Sequence, residues 1–408
     1  MAKKEARNLL VGIDIGTSKC VAVIGEVTPE GNIEVVGEGS HPARGMNRGD
    51  VVNIEATVQS IKRAVENAEH MAGCRAQSVY VGISGTHIKS YNSTGVAPVR
   101  GREVSDKDVE SVIDAARAIA IPADQKILHV VPQEFVVDGR EGIHEPVGMF
   151  GVRLEAKVHM VTGSLSAAQN IYKCVESCGL SVDKLILQHL ASSYAVLLPD
   201  ERDLGICMVD IGGGTSDIAV FKGGAIRHTA VLPIAGNQVT NDISVAFRTP
   251  AQSAEEIKVR FGCALPALAA ADDEIEVRSV GDNPPRRLSR LTLAEVIKPR
   301  YEELFRYIRK ELHRSDWYDV IAGGVVLTGG SAQMPGVIEL AEQVFEVPVR
   351  LGAPHNVQGL KDVVRSPAYS TAVGLLLYGR QQQPKARAPE GYGGQFAERI
   401  GKWFKGNF

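Results

Sequence analysis

The chain has 408 residues, of which 44% are hydrophobic, and its 45 basic and 48 acidic side chains leave a formal charge of −3. At roughly 150 residues per domain this length predicts two or three domains, and the composition excludes a disordered or collagen-like chain. The near balance of charge excludes a chain-wide basic surface, so we expect no nucleic-acid partner.

Cysteine usage and hydropathy predict a protein with reduced thiols in the cytoplasm. The six cysteines form no compact framework. Cys174 and Cys178 lie four apart on a predicted helix, where core packing is expected and metal binding is the alternative. Asp14 interrupts the first apolar stretch, so a cleaved signal peptide is not expected. No apolar run approaches the ~18 residues of a spanning helix, so we expect any membrane attachment at a terminus.

A near-repeat is the first informative feature along the chain. Residues 10–24 and 207–221 each read as a β-branched strand, an Asp, a turn of Gly, Thr and Ser, and a second β-branched strand. Each copy therefore predicts a β-hairpin with a tight loop. Two such copies predict an α/β protein built from two related halves that face each other.

Strands and helices alternate through the rest of the chain. The expected elements are a strand at 33–37, a helix at 54–72, a strand at 78–83, a helix at 105–120, strands at 127–135 and 158–162, a helix at 253–261, a turn at 282–287, a strand at 325–327 and a helix at 369–378. Segments 85–162 and 230–304 break the rhythm and are predicted to be an inserted interaction domain and a smaller subdomain beside the ligand site. The predicted first half comprises 1–84, 163–203 and 361–379, and the second half 204–229 and 305–360.

The two hairpin turns predict a phosphate site. Glycine turns present backbone N–H groups that bind phosphate oxygens, and an Asp beside them can hold a hydrated Mg²⁺. One such turn is more typical of an ordinary strand connection, but two opposed copies predict a clamp for a triphosphate and its metal. The predicted phosphate-binding residues are Gly16, Thr17, Ser18, Lys19, Gly212, Gly213, Gly214, Thr215 and Ser216, and the predicted metal-holding residues are Asp14 and Asp210.

A third glycine loop predicts where the nucleoside lies. Residues 328–331 follow a buried strand and precede a helix, so a nucleoside can lie against bare backbone there. Glu255 and Lys258 share one helix face and are candidates for hydrogen bonds to a ribose, with a solvated ion pair as the alternative. The predicted nucleoside-binding residues are Gly236, Glu255, Lys258, Gly329, Gly330, Ser331 and Met334.

Taken in order, these segments resemble the ATPase superfamily of actin, heat-shock chaperones and sugar kinases. The matching segments are the first phosphate motif at 14–17, a connecting helix at 188–195, the second phosphate motif at 210–217, the adenosine motif at 328–331 and a second connecting helix at 369–374. The resemblance implies an actin-like fold of two halves around a nucleotide cleft, with ATP and Mg²⁺ as cofactors. It implies that Gln188 orients the attacking water and that Asp210 and Asp14 flank the metal, a helix-surface amide being the alternative for Gln188. Any ATP hydrolysis is expected to be slow.

Within the superfamily, three features resemble the FtsA family of cell-division actin homologues. These are the insertion that follows residues 83–87, the segment 27–53 with its run 43–50, and the detached amphipathic C-terminus. The resemblance implies a filament former that anchors FtsZ, the tubulin-like division protein, to the cytoplasmic side of the inner membrane and helps assemble the septal ring. It also implies that the FtsZ C-terminal peptide binds 230–304 and the next helix, and that 85–162 contacts other subunits and later division proteins.

On that next helix, Arg300, Glu303 and Arg306 lie at i, i+3 and i+6, a face suited to a peptide of mixed charge. A solvated face is equally consistent with the pattern. Two other functions stay open at this point. One is a PilM-like pilus-assembly protein, which meets the membrane through a partner, and the other is a small-molecule kinase, which needs a further carboxylate constellation that the sequence does not display.

The C-terminal segment predicts a membrane tether. Residues 380–394 read as a flexible linker, and 395–408 as an amphipathic helix. Its apolar stripe has i, i+4, i+7 and i+8 spacing, with basic side chains beside it. The stripe is Phe396, Ile400, Trp403 and Phe404, and the basic residues are Arg399, Lys402 and Lys405. We expect this helix to lie on anionic lipid, and the alternative is a short helix that packs on the protein's own core.

Overall fold

The computed structural model describes residues 8–270, 272–279 and 284–383, and it has a mixed α/β architecture. The strands are β1 (Leu9–Ile15), β2 (Lys19–Val27), β3 (Ile33–Pro42), β4 (Met46–Asn47), β5 (Asp50–Val51), β6 (Ser78–Ile83), β7 (Lys89–Pro98), β8 (Gln125–Val137), β9 (Arg140–Ile143), β10 (Arg153–Ser164), β11 (Ser181–Leu187), β12 (Ile206–Ile211), β13 (Ser216–Lys222), β14 (Ala225–Leu232), β15 (Glu274–Val277), β16 (Arg286–Ser289), β17 (Val325–Thr328), β18 (Val349–Leu351) and β19 (Val357–Gly359). The helices are α1 (Ile54–Ala72), α2 (Asp106–Arg117), α3 (Leu165–Glu176), α4 (Gln188–Val196), α5 (Pro199–Leu204), α6 (Gly236–Phe247), α7 (Ala251–Phe261), α8 (Arg290–Arg314), α9 (Val337–Phe345), α10 (Lys361–Val364) and α11 (Ser370–Gln382).

The first half is built on a six-stranded sheet in the order β11-β6-β1-β2-β3-β19. Alternate residues of β1 enter two cores, since Val11 and Ile13 pack with α1 and α3 while Leu10 packs with α4 and α11. Gly12 lets α11 lie directly on the strand, because an added Cβ would fall 2.8 Å from the Ala372 carbonyl oxygen. Cys174 is fully buried in the α1 core, so this sulfur is a packing group.

The second half is built on a five-stranded sheet in the order β14-β13-β12-β17-β18. Every residue of β12 is buried, as expected of a strand with helices on both faces. One core joins this sheet to α6, α7, α8 and α9. Both predicted hairpins are confirmed: β1 pairs with β2 and β12 with β13, each antiparallel.

The inserted segment 85–162 folds as a four-stranded sheet in the order β7-β10-β8-β9, with α2 packed on one face. Strand β7 has no counterpart among the predicted elements, because its Ser, Asn and Thr residues mask the alternation of an edge strand. The predicted helix at 105–120 begins one residue later, with Ser105 as its cap, and ends at Arg117. Strands β8 and β10 extend well beyond the predicted 127–135 and 158–162.

The segment 230–304 contributes α6, α7, the β15–β16 hairpin and the start of α8. Helix α8 has 25 residues and runs through the predicted boundary at 304, with Pro299 inside it. The turn predicted at 282–287 is wrong at its end, since Arg286 and Arg287 pair in β16 with β15. Residues 280–283 lie outside the described residues.

Helix α11 continues to Gln382, three residues into the predicted linker. Contacts with the N-terminal strands hold it there: Arg380 Nε donates to the Gly31 carbonyl over 3.2 Å, and the Gln383 and Asn8 side-chain amides exchange hydrogen bonds of 3.0 and 3.1 Å. The remainder of the linker and the predicted helix at 395–408 lie outside the described residues. Of the helices between residues 8 and 383 that the structure describes, none is both long and apolar enough to span a bilayer.

Candidate nucleotide cleft

The two glycine turns meet at the junction of the halves. Each is closed by the same type of backbone hydrogen bond, 3.0 Å from Gly16 N–H to the Lys19 carbonyl and 3.0 Å from Gly212 N–H to the Thr215 carbonyl. An added Cβ at Gly213 would fall 1.9 Å from Ser18 Oγ, and one at Gly214 would fall 2.4 Å from Thr17 Oγ1. The second turn therefore needs glycine because the first turn lies against it.

Between the turns is a cleft of about 500 Å³ that both halves line. Most of the predicted nucleotide residues line it, namely Asp14, Gly16, Thr17, Ser18, Lys19, Gln188, Asp210, Gly212, Gly213, Gly214, Thr215, Glu255, Lys258, Gly329, Gly330, Ser331 and Met334. Ser216 and Gly236 lie behind this lining. Ser216 Oγ donates to the Ile234 carbonyl over 2.6 Å, and Gly236 N–H donates to the Gly212 carbonyl over 3.1 Å.

The connecting helices bring polar groups to the two predicted metal-holding carboxylates. Gln188, the first residue of α4, donates from Nε2 to Asp14 Oδ1 over 2.8 Å. Asp210 Oδ2 accepts from Ser192 Oγ over 2.6 Å and from Thr371 Oγ1 over 3.2 Å. Helices α4 and α11 thus position one acid of each half. Gln188, which the resemblance predicts to orient the attacking water, lies beside Asp14.

The two acids lie in an environment that favours their neutral forms. Burial and the nearby charge of Asp210 raise the pKa of Asp14 to about 7, although the Lys19 ammonium lowers it. Burial also raises the pKa of Asp210, against the hydrogen bonds from Ser192 and Thr371. A cation between the carboxylates would stabilise their charged forms, so this donor set fits a divalent metal.

Asp217 is a third acidic group of the cleft that the sequence reasoning did not single out. It lines the cleft, and its Oδ1 accepts a 2.6 Å hydrogen bond from Ser84. Burial, then the charges of Asp210 and Asp14, raise its pKa to about 8, although the bond from Ser84 lowers it. The near-repeat marks this position, because a charged residue follows Thr-Ser in both copies. That residue is Lys19 in the first copy and Asp217 in the second.

The pair Asp14 and Asp210 fits a metal ion that takes most of its ligands from water and phosphate. Among residues 8–270, 272–279 and 284–383 no group of three or more His, Cys, Asp or Glu side chains is arranged as a ligand set. Mg²⁺ keeps several of its waters and binds through one or two carboxylates plus phosphate oxygens. The pair Asp14 and Asp210 therefore suits Mg²⁺ delivered with a nucleotide better than an ion held by protein alone.

We expect Asp14→Asn to weaken Mg²⁺-nucleotide binding and to make the nucleotide-free protein more stable. With a pKa of about 7 in the folded chain, and about 4 when unfolded, Asp14 costs stability as the pH rises from about 4 towards 7. The Asn variant lacks this loss, so its thermal midpoint should exceed that of wild type by a few degrees at pH 8 and match it near pH 4. Thermal scans at the two pH values measure this difference.

The same group predicts the pH dependence of ligand binding. Below pH 7 metal binding must displace a proton from Asp14, so wild-type affinity for Mg²⁺-ATP should fall as the pH drops from 8 to 6. Calorimetry should show a shallower fall for Asp14→Asn. Parallel pH profiles for the two proteins would contradict the assignment.

The nucleoside side of the cleft is formed by the second half. Lys258 is buried, and its Nζ lies 2.7 Å from Glu255 Oε2. The same Nζ donates to the Gly236 carbonyl over 3.1 Å and to Thr240 Oγ1 over 2.9 Å. The predicted pair is therefore an ion pair built into α6 and α7. Beside it, Val259 is 72% exposed and shares the cleft wall with Met334, which is an apolar surface open to a ligand.

Two further cleft residues were missed from the sequence. Asn237 accepts from Ser18 Oγ over 2.9 Å, and Gly49 N–H donates to Thr17 Oγ1 over 3.1 Å. Both fix the first turn from distant parts of the chain. Gly49 lies in the 43–50 segment that carries the family resemblance, which was the available signal for it, whereas nothing local marks Asn237.

The predicted partner residues lie outside the cleft. Arg300 Nε and Nη2 donate to the two carboxylate oxygens of Asp242 over 2.6 and 2.9 Å, and its Nη1 donates to Glu303. Arg306 is 72% exposed and pairs with Glu302 over 3.3 Å. Of the two cations, Arg306 is the more accessible, while Arg300 joins α8 to α6.

Comparison with known proteins supports the resemblance. Residues 207–374 match the family model for cell division protein FtsA, and 85–162 match the model for the SHS2 domain inserted in FtsA. The chain is 57% identical to the FtsA of Pseudomonas aeruginosa and 48% identical to that of Escherichia coli K12, with all of each chain covered.

Solved structures show the same fold at low identity. A type IV pilus PilM–PilN complex matches with a TM-score of 0.67 and 19% identity, covering 93% of this chain and 100% of that one. MreB5 of Spiroplasma citri bound to ADP matches with a TM-score of 0.52 and 14% identity, covering 90% of this chain and 94% of that one. These likenesses confirm the actin-like fold, and the much higher identity to the curated relatives decides against the PilM-like and kinase alternatives. The chain belongs to the FtsA family of cell-division proteins, with an actin-like α/β fold and an inserted SHS2 domain.

Proposed function

We propose that this chain binds ATP with Mg²⁺ between its two glycine turns and, as nucleotide-loaded filaments, anchors FtsZ to the cytoplasmic side of the inner membrane at the division site. The observation that carries the proposal is the facing pair of turns with Asp14 and Asp210 in one cleft. Gly16 N–H and Gly212 N–H close the turns, and the other backbone N–H groups of the two turns are the ones proposed to donate to phosphate oxygens. MreB5, which shares the fold, is described as bound to ADP.

Under this proposal the two turns, the two acids and Gln188 have separate roles in the cleft. The turns 16–18 and 212–215 cradle the phosphates, and Asp14 and Asp210 hold Mg²⁺, which neutralises phosphate charge when bound. Gln188 orients a water, and its contact with Asp14 places that water near the metal side of the cleft. Turnover is expected to be slow, since a scaffold needs a change between open and closed halves more than it needs rapid chemistry.

A titration of ATP into the wild-type protein tests the nucleotide proposal. We expect one ATP per chain with Mg²⁺ present and much weaker binding in EDTA, because the turns alone lack the cation that links phosphate to Asp14 and Asp210. Equal binding with and without the metal would remove the two acids from the site.

The membrane and partner proposals rest on the family and on sequence segments. Residues 395–408, which lie outside the described residues, are proposed to supply the lipid-binding segment, and α8 with 230–304 is proposed to supply the site for the FtsZ C-terminal peptide. The inserted domain contacts the next subunit of a filament and later division proteins. The family match over the full chain supports all three assignments.

We expect Arg306→Glu to weaken binding of the FtsZ C-terminal peptide by roughly three- to tenfold without changing thermal stability. Its side chain is 72% exposed, and an exposed ion pair contributes ~0.2–1 kcal/mol, so the fold loses little. Arg300→Glu should also weaken peptide binding. The new carboxylate repels Asp242, however, so this variant should have a lower thermal midpoint. Fluorescence anisotropy with labelled peptide, beside thermal scans, separates the two effects.

The matched control is the charge swap Arg300→Asp with Asp242→Arg, which restores the internal pair while reversing the charge on α8. We expect thermal stability between those of wild type and Arg300→Glu, because the new carboxylate at position 300 lies beside Glu303, and we expect weak peptide binding. Wild-type peptide affinity in both Arg306→Glu and the swap would place the FtsZ site elsewhere.

A further inference from the structure

The inserted domain (85–162) leaves the first half at the nucleotide cleft itself. Ser84, the residue before it, follows β6 and donates to Asp217 in β13 of the second half. Where the chain returns, Ser164 N–H donates to His87 Nδ1 over 3.2 Å, which ties the two connecting segments together. The neck of the domain therefore touches a cleft residue of the opposite half.

The base of the domain rests on the first half beside Gln188. His129 of β8 is buried, and its Nε2 accepts a 3.0 Å hydrogen bond from the backbone N–H of Leu187. Leu187 directly precedes Gln188 and packs with Val161 and Leu190. The domain thus supports the start of the helix that carries the cleft glutamine.

The far side of the domain rests on the second half, through side-chain bonds to β14 that we call the β14 seat. Ser90 Oγ donates to the Thr229 carbonyl (3.0 Å), Asn92 Nδ2 to the Arg227 carbonyl (3.2 Å) and Gln133 Nε2 to the Ile226 carbonyl (2.8 Å). His159 lies between, with Nδ1 2.8 Å from Asn92 Oδ1 and Nε2 3.1 Å from Thr229 Oγ1. Because β14 is the edge of its sheet, its outer side is open to these side-chain hydrogen bonds.

The polarity of the seat suits a contact that forms and breaks. The opposite face of the domain's sheet is apolar, since Val158 and Met160, which flank His159 on β10, are buried in the core around α2. Polar groups lose little free energy when their hydrogen bonds to each other are replaced by hydrogen bonds to water. An apolar interface resists separation because its surface would be exposed to water.

In this structure the two halves contact each other beside the cleft. The two glycine turns touch, and Ser18 Oγ bonds to Asn237 across the halves. A domain held by both halves must shift against one of them if the halves separate.

We infer that the inserted domain is a strap across the cleft, whose β14 seat forms when the cleft closes and is released when it opens. The inference rests on the proposed nucleotide binding, because the nucleotide is what favours closure. By linkage, a ligand that closes the cleft also holds the domain in its seat. A partner that pulls the domain from its seat therefore weakens nucleotide binding by the same factor by which the nucleotide weakens binding of that partner.

Amide hydrogen exchange and calorimetry on the full-length protein test this coupling. In wild type, Mg²⁺-ATP should slow exchange in 89–98 of the inserted domain and in 225–232, where Val231 and Leu232 pair with Asp217 and Ser216 beside the cleft. Gln133→Met removes one donor of the seat at similar volume, and Asn92→Ala removes another. Each should weaken Mg²⁺-ATP roughly fivefold, near the lower end of common allosteric coupling, and should reduce the slowing in 225–232.

Ser93→Ala is the matched control. It lies on the same strand, but its Oγ bonds within the domain to the Ala116 carbonyl over 2.8 Å, so its nucleotide affinity should equal that of wild type. Wild-type affinity in both seat variants, or unchanged exchange in 225–232 on adding Mg²⁺-ATP that does bind, would overturn the strap. Failure of wild type to bind Mg²⁺-ATP at all would instead overturn the proposed function, and the strap with it.

Discussion

Asp210→Ala is expected to weaken Mg²⁺-ATP binding by about 100-fold or more, or ~2.8 kcal/mol at 1.4 kcal/mol per tenfold. The variant removes one of the two acids proposed to hold the metal, and it leaves Asp14 alone across the cleft. Binding of ATP in EDTA, which we expect to be weak in wild type, should change little. The comparison of the two titrations by calorimetry isolates the contribution that passes through the metal.

The alanine variant has a second effect that a control must separate. Ser192 and Thr371 donate to Asp210 Oδ2, and a buried hydroxyl that loses its acceptor costs ~1–3 kcal/mol. Asp210→Asn keeps an oxygen for them and removes only the charge. We expect Asn to fold as wild type does and still to lose most of the metal-dependent affinity. If Asn binds Mg²⁺-ATP as tightly as wild type does, Asp210 has no role at the metal.

Trp403→Glu is expected to release the protein from anionic liposomes, with at least a tenfold loss of the sedimented fraction in a dilution series. In the predicted helix the change puts a charge into the apolar stripe of Phe396, Ile400 and Phe404. Each basic side chain near an anionic leaflet contributes about 1 kcal/mol, so the remaining cations bind lipid only weakly without the stripe. ATP affinity should be unchanged, which calorimetry on the same variant measures.

Gly401→Glu is the matched control, because it makes the same change of charge off the stripe. We expect it to lose far less binding than Trp403→Glu. Filaments carry many such helices, so attachment should also rise steeply when Mg²⁺-ATP promotes assembly. Equal sedimentation of Trp403→Glu and wild type would mean that the tether is a different segment.

The elements that local patterns predicted best are those buried on at least one face. Helix α1 and strand β6 have the bounds that their sequences indicate, because their apolar periods are unbroken. Strand β7 was missed because its outward residues are polar and form the β14 seat, a tertiary contact.

The parts of the cleft that could be predicted are those whose motif occurs twice in the sequence. The Asp–glycine turns are marked twice along the chain, so both were found. Asn237 and Ser84 act by reaching across from the other half, and only the fold brings them to Ser18 and Asp217. Arg300 was expected on a free face, but its distance to Asp242 is fixed by the packing of α8 on α6.

A crystal structure of the full chain with Mg²⁺ and a non-hydrolysable ATP analogue tests the central claim most directly. The account predicts phosphates between turns 16–18 and 212–215, the metal on the side of Asp14 and Asp210, and the nucleoside near Glu255, Lys258 and Met334. Nucleotide bound elsewhere, or phosphates that contact only one of the two turns, would contradict it.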